Sequence, residues 1–145
     1  MKHPQTLAIE LNKAFPNKDL KNIADFACCA FVTMWCLGIE PEDSEAILTI
    51  QRAIKDKVLD SDCTVKWFDF VSWLTGRQLE KVDFVDITTL LKIKERTPVK
   101  YVFNGKLHWV GVENGQIAFN PLKSSIVVSN GKPSAKRVLH MNIKS

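Results

Sequence analysis

The chain has 145 residues, of which 46% are hydrophobic and 25% charged. This is ordinary globular usage, which excludes an intrinsically disordered chain and lets a single domain over residues 1–145 fold without a disulfide or a metal. No stretch reaches the roughly 18 apolar residues of a membrane helix, and no signal-peptide core follows Met1, so we expect a soluble, cytoplasmic protein.

The net charge of +4 is unevenly distributed. Residues 1–72 hold 8 Lys and Arg against 11 Asp and Glu, whereas residues 73–145 hold 12 against 5. The segment 121–145 has five basic residues and no acidic one. A solvated basic edge is the ordinary explanation of such a segment, and a surface for an anionic partner is the alternative.

The first two thirds of the chain have the residue spacing of helices. We predict helices over 6–15, over 18–37 with a break near Asp25, from Pro41 to Val58, over 65–74 with Thr64 as cap and Gly76 as stop, and a final turn or two after Asp86. The part of the second helix from Phe26 to Leu37 is apolar on every face, which predicts a buried helix. Asp25 is the expected N-terminal cap of this part, and Gly38 its stop.

Beyond Thr97-Pro98 the pattern is that of strands. Asn-Gly pairs at 104–105, 114–115 and 130–131 indicate tight turns between short alternating runs. The predicted strands are 99–103, 106–112, 116–119, 125–128 and 137–141. We therefore expect an α+β fold, with a helical lobe over 1–96 and an antiparallel meander of four or five strands over 97–145.

The four cysteines, Cys28, Cys29, Cys36 and Cys63, form no CxxC pair, and the three histidines have no zinc-finger spacing. We expect free thiols and neither a metal nor an organic cofactor. Cys29 falls in the first turn of the buried helix, where free N–H groups and the helix dipole favour a thiolate and would receive an oxyanion. Cys28 is the alternative nucleophile, and Cys36 and Cys63 are expected to be structural.

His108 lies in the middle of a predicted strand, and Asn120 follows the next one. A two-residue turn at Asn114-Gly115 would put the two side chains on opposite faces, whereas a three-residue turn at Glu113-Asn114-Gly115 would pair them directly. We predict the three-residue turn, with Asn120 holding the His108 ring in its basic tautomer. His140 is an alternative base.

The order Cys28-Cys29-Ala30 at a helix start, then Leu107-His108-Trp109-Val110-Gly111-Val112, then Ile117-Ala118-Phe119-Asn120-Pro121, resembles the papain-like cysteine peptidases. It is closest to the bacteriocin-leader, C39-like branch and its uncharacterised relatives. The resemblance covers residues 25–121 and implies a papain-like fold, with Cys29 as nucleophile, His108 as base and Asn120 as orienting residue.

This sequence departs from the leader peptidases at two points. Cys28-Cys29-Ala30 stands where they have Asp-Cys-Gly, and no Gln lies a few residues before the cysteine. Asn22 is the one amide at about the right distance to complete an oxyanion hole.

The predicted function is a papain-like thiol hydrolase, a peptidase or amidase that acts on a peptide or amide through an acyl-enzyme. Acyl transfer to an amine would use the same residues. The alternative is a catalytically idle module of the same fold, which binds a protein or nucleic acid through its basic C-terminal part; a nucleic-acid partner is the less expected of the two. The sequence leaves the oligomeric state open.

Overall fold

The computed structural model describes residues 1–142, which form six helices and one five-stranded antiparallel sheet. The chain is thus α+β, as the sequence predicts. Five helices come first: α1 (Pro4–Ala14), α2 (Lys18–Phe26), α3 (Cys28–Cys36), α4 (Asp43–Lys55) and α5 (Trp67–Thr75). They are followed by β1 (Leu79–Asp86), β2 (Thr97–Phe103), β3 (Lys106–Glu113), β4 (Gln116–Phe119), α6 (Ile126–Asn130) and β5 (Lys132–Met141).

The ends of the helices follow from local side chains, with two corrections. Asn17 caps α2, since its side chain accepts from the N–H groups of Asp19 and Leu20. Asp25, the predicted cap of the buried helix, instead pairs with Lys21 at 2.7 Å, and the unbranched Ala27 takes the cap position. Thr64 does not cap α5, which begins after Lys66.

Glycine supplies the stops of two helices, as predicted. Gly38 and Gly76 follow α3 and α5 with φ angles of 75° and 69°. Glycine adopts this left-handed conformation without steric cost, which is why it terminates helices so often.

The sheet has the order β1-β5-β2-β3-β4, so it is not the predicted meander. Residues 79–86, which fell within the predicted helical lobe, form the edge strand β1 and pair with β5. The turn or two of helix predicted after Asp86 is absent from the described residues, which have only bends and turns there. Residues 125–128, predicted as a strand, form the N-cap and first turn of α6, in which the Val128 N–H donates to the Ser125 hydroxyl.

Two hydrophobic clusters lie on the two faces of the sheet. The larger one joins the helices to Trp109 and Phe119. The smaller one contains Val99, Val110 and Val127 and is covered by α6. Helix α3 packs between the other helices and β3 with Phe31, Val32 and Met34 fully buried, which confirms the predicted buried helix.

Candidate active site

Two adjacent thiols lie at the N-terminus of α3. Ala27 alone separates α2 from α3, so Cys28 and Cys29 are its first two residues. Cys28 is buried with 6% of its surface exposed, and Cys29 is partly exposed. Both thiols line a cavity of about 750 Å³, so both face the same space.

The Cys28 thiol lies beside the exposed edge of β3. Strand β4 ends at Phe119, opposite Gly111, so β3 has no β4 partner at Trp109. Burial raises the pKa of Cys28, while the backbone N–H groups of Trp109, Cys29 and Cys28 lie close enough to lower it in part. The thiol is therefore protonated at neutral pH.

The Cys29 thiol has different neighbours. Desolvation and the adjacent Cys28 raise its pKa well above the usual value, against the opposing effects of the Arg137 guanidinium and the Thr33 hydroxyl. Neither thiol is thus a preformed thiolate. A base has to remove the proton when either one reacts.

Asn120 fixes the tautomer of the His108 ring in the same cavity. The Nε2 atom lies 2.8 Å from Asn120 Oδ1, and the N–H of Leu122 donates to the same oxygen at 3.0 Å. Because that oxygen accepts from Leu122, His108 Nε2 must carry a hydrogen, which leaves Nδ1 with its lone pair. Burial lowers the pKa of His108, partly offset by the Asn120 hydrogen bond, so the ring is neutral at pH 7.

The contact between His108 and Asn120 forms for a different reason from the predicted one. The turn has two residues, Asn114 and Gly115, both with positive φ, and Glu113 pairs with Gln116; the predicted three-residue turn is wrong. A bulge at Ala118 then shifts the register, so that Val112 pairs with Ile117 but Gly111 with Phe119. This extra residue returns Asn120 to the face of His108.

Alternation along β3 sets how the ring and the thiols approach each other. His108 pairs with Tyr101 and shares the face of Val110, whereas Trp109 packs on the face of α3. The cavity is lined by both His108 and Trp109, so it extends around the edge of the strand. Within residues 1–142 no hydrogen bond joins either thiol to the ring. Catalytic hydrogen bonds are often long in unliganded sites and tighten around substrate.

Gln5 is a cavity residue that the sequence did not indicate. Its side chain is buried, Nε2 donates to the Ala24 carbonyl at 2.8 Å, and Oε1 has no partner. It comes from the first turn of α1, which is held against the segment after β4 by hydrogen bonds from Gln5 N and Thr6 N to Pro121 O. The sequence gives no signal for Gln5, because it lies far from the cysteines along the chain and only the packing of α1 brings it to the cavity.

The other candidate residues lie elsewhere or have other partners. Asn22, on α2, is not among the residues that line the cavity, which leaves its oxyanion role without structural support. His140 forms a hydrogen bond with Asp83 at 2.7 Å and is not among the residues that line the cavity. Cys63 is buried at the cavity wall, where burial raises its pKa to about 12, and burial likewise raises the pKa of Cys36.

Among residues 1–142 no helix has the length and apolar character needed to cross a membrane. Comparisons of the chain with protein-family models, with curated proteins and with solved structures found no match.

Proposed function

We propose that this protein is a papain-like thiol hydrolase that cleaves a peptide or amide bond through an acyl-enzyme. The observation that carries the proposal is the His108–Asn120 pair, in which one amide oxygen fixes a neutral imidazole with a free Nδ1 in a cavity lined by two thiols. Holding a base in one tautomer is the task of the third member of a catalytic triad.

The contacts of Cys28 favour it over Cys29 as the nucleophile. The backbone N–H groups of Trp109, the residue after His108, and of Cys29 and Cys28 act to lower the pKa of its thiol. Those donors would stabilise negative charge on the sulfur and on the carbonyl oxygen that it attacks. The pKa of Cys29, the nucleophile implied by the family resemblance, is lowered instead by Arg137 and Thr33.

The proposed reaction has two halves. His108 Nδ1 takes the thiol proton while the Cys28 sulfur bonds to the substrate carbonyl carbon, and the N–H donors hold the resulting oxyanion. The imidazolium then protonates the leaving nitrogen as the C–N bond breaks, which leaves a thioester. Water attacks the thioester, gives a proton to His108 and releases the carboxylic acid, and the thiol regains its proton.

The mouth of the cavity supports a substrate with an apolar group. Phe26, Phe84 and Leu107 line it with 52%, 65% and 56% of their surfaces exposed. Large exposed apolar side chains gathered at one opening mark a binding surface more often than a structural one. They suit an apolar side chain or acyl group next to the scissile bond.

The proposal is tested with p-nitrophenyl acetate as acyl donor and mass spectrometry of the intact and digested protein. We expect a burst of p-nitrophenol and an acetyl adduct on Cys28. His108→Ala is expected to slow acylation by about 100-fold or more, since general-base assistance contributes on that scale. Cys29→Ala is expected to retain the burst and Cys28→Ala to lose it.

Cys63→Ala is the matched control, because Cys63 is a buried thiol at the wall of the same cavity. Adducts spread evenly over all four thiols, or acylation of Cys28 at the same rate in His108→Ala, would refute the hydrolase and leave the idle binding module as the better hypothesis. A burst that follows Cys29 instead of Cys28 would keep the activity and reassign the nucleophile.

A further inference from the structure

Arg137, on β5, is the cation whose charge acts on the Cys29 thiol at the N-terminus of α3. Its guanidinium carbon lies 4.0 Å from the ring centre of Phe84 and 5.0 Å from that of Trp109. It lines the cavity, and its charge acts on the thiol of Cys29. Two aromatic faces therefore hold a guanidinium in place beside the proposed reaction centre.

The guanidinium has unused hydrogen-bonding capacity. Its Nε atom is buried without a partner, and its one hydrogen bond, from Nη1 to the Lys136 carbonyl, is long at 3.3 Å. Within residues 1–142 it forms no ion pair. Burial lowers its pKa, against the opposing effects of Cys29 and Asp86. An arginine in this condition has donors available for a ligand.

The other charged groups of the cavity do not compete for that role. Asp25 is paired with Lys21 at 2.7 Å, and Asp62 accepts the N–H of Thr64 at 3.1 Å, so both carboxylates have partners. Lys106 is exposed at the edge and has no ring holding it. Only Arg137 is both restrained and close to a thiol.

We propose that Arg137 forms a carboxylate-binding subsite beside the N-terminus of α3, so that the ligand of this cavity is an anionic amide or peptide with a carboxylate near its scissile bond. A planar guanidinium presents two parallel N–H donors to the two oxygens of a carboxylate. That the anion is part of a substrate rests on the proposed function, whereas anion binding itself does not.

The first test compares two alkylating agents of nearly the same size, iodoacetate and iodoacetamide, at Cys29. In the folded protein, the rate constant for iodoacetate is divided by that for iodoacetamide. This ratio is then divided by the same ratio measured in the urea-unfolded chain. We expect this normalised ratio to favour iodoacetate by about threefold or more, a modest factor because solvent screens a partly exposed cation. Arg137→Met is expected to bring it to about one, and Arg137→Lys to an intermediate value.

Lys136→Met is the matched control, since Lys136 is the adjacent basic residue of β5 and points to the other face. It should leave the ratio unchanged. A ratio that does not exceed one in the natural protein, or that Lys136→Met lowers as much as Arg137→Met, would overturn the subsite.

A second measurement does not depend on thiol reactivity or on a variant at position 137. Calorimetric titration of Cys28→Ala with N-acetylphenylalanine and with its neutral amide is expected to show the carboxylate binding at least about threefold more tightly. Equal binding, or no binding of either compound, would refute the subsite. If the carboxylate is preferred but the natural protein shows no His108-dependent burst with p-nitrophenyl acetate, only the hydrolase is refuted.

Discussion

At residue 108, two opposing influences set the state of the imidazole. Burial lowers its pKa, and the hydrogen bond to Asn120 raises it again in part. The ring is consequently neutral across the physiological range, and only a neutral ring accepts the thiol proton. This favours general-base removal of the proton during attack over a resting thiolate–imidazolium pair, in agreement with the raised pKa of Cys28.

A pH profile of Cys28 acylation tests this state. Protonation removes the base, so we expect the rate to fall on the acid side with a midpoint below the usual 6.5 of histidine. Asn120→Ala removes the hydrogen bond that supports the charged ring, so its midpoint should move lower still. Asn120→Asp adds a negative partner and should move it higher.

Stopped-flow release of p-nitrophenol between pH 4 and 9 gives these midpoints. If the role of Asn120 is only structural, both substitutions would lower the amplitude of the p-nitrophenol burst without moving its pH midpoint in opposite directions. Such a result, or a profile in the natural protein with a midpoint above 7, would contradict a neutral His108 held by Asn120.

The residues of the site differ in how far the sequence could identify them. Cys29 as nucleophile, with Cys28 as its alternative, and the pair of His108 and Asn120 could be proposed because a buried helix start and two adjacent strands constrain where their side chains go. Gln5 and Arg137 were not, because they come from α1 and β5, and only tertiary packing brings these elements to the cavity. No local pattern encodes such an approach.

Among the secondary-structure elements, those with strong local signals were predicted and those that depend on distant partners were missed. Both glycine stops and the hairpin turns at Asn104-Gly105 and Asn114-Gly115 are determined by backbone conformation. The third predicted Asn-Gly turn is wrong, because Asn130 ends α6 and Gly131 is its C-cap. Strand β1 forms because β5 pairs with it, and the bulge at Ala118 forms within the ladder itself. The contact of His108 with Asn120 was thus predicted from a turn that does not form, and a bulge produces it.

At the level of elements, Gly111 sets how closely α3 approaches β3. A Cβ at this position would overlap the six-membered ring of Trp35 and lie 3.2 Å from Phe119 Cβ. The Trp35 and Phe119 rings stack at 5.8 Å, so neither can move away alone. We expect Gly111→Ala to lower the free energy of unfolding by about 1–3 kcal/mol, the usual cost of overpacking a core.

Urea denaturation of Gly111→Ala, Trp35→Leu and the double variant tests this contact. Because the smaller side chain opens the space, the substitution at 111 should cost less in the Trp35→Leu background than in the natural protein. Equal costs in the two backgrounds would mean that the tight approach is not the reason for glycine at 111.

At the scale of the whole molecule, Arg96 connects the helices to the sheet. From the segment before β2, Nη1 donates to the Trp35 carbonyl at 2.8 Å and to Glu40 at 3.0 Å, and the guanidinium lies 4.3 Å from the Trp35 ring centre. Its Nε lies 3.6 Å from Glu113 on β3. One side chain therefore bonds the end of α3, the loop after it and the far end of the strand that carries His108.

We expect Arg96→Ala to lower the free energy of unfolding by about 1–2 kcal/mol, because it leaves the Trp35 carbonyl without this donor and removes a multiply bonded charge. The value stays modest since the side chain is 31% exposed and the two ion pairs are screened. Arg96→Lys keeps the charge but not the planar guanidinium with its several N–H donors, so it should recover only part of the stability that Arg96→Ala loses. Arg77→Ala, at an exposed position, is the control in the same urea titrations and should change stability by less than about 0.5 kcal/mol. If Arg96→Ala is as stable as that control, the connection between helices and sheet rests on apolar packing alone.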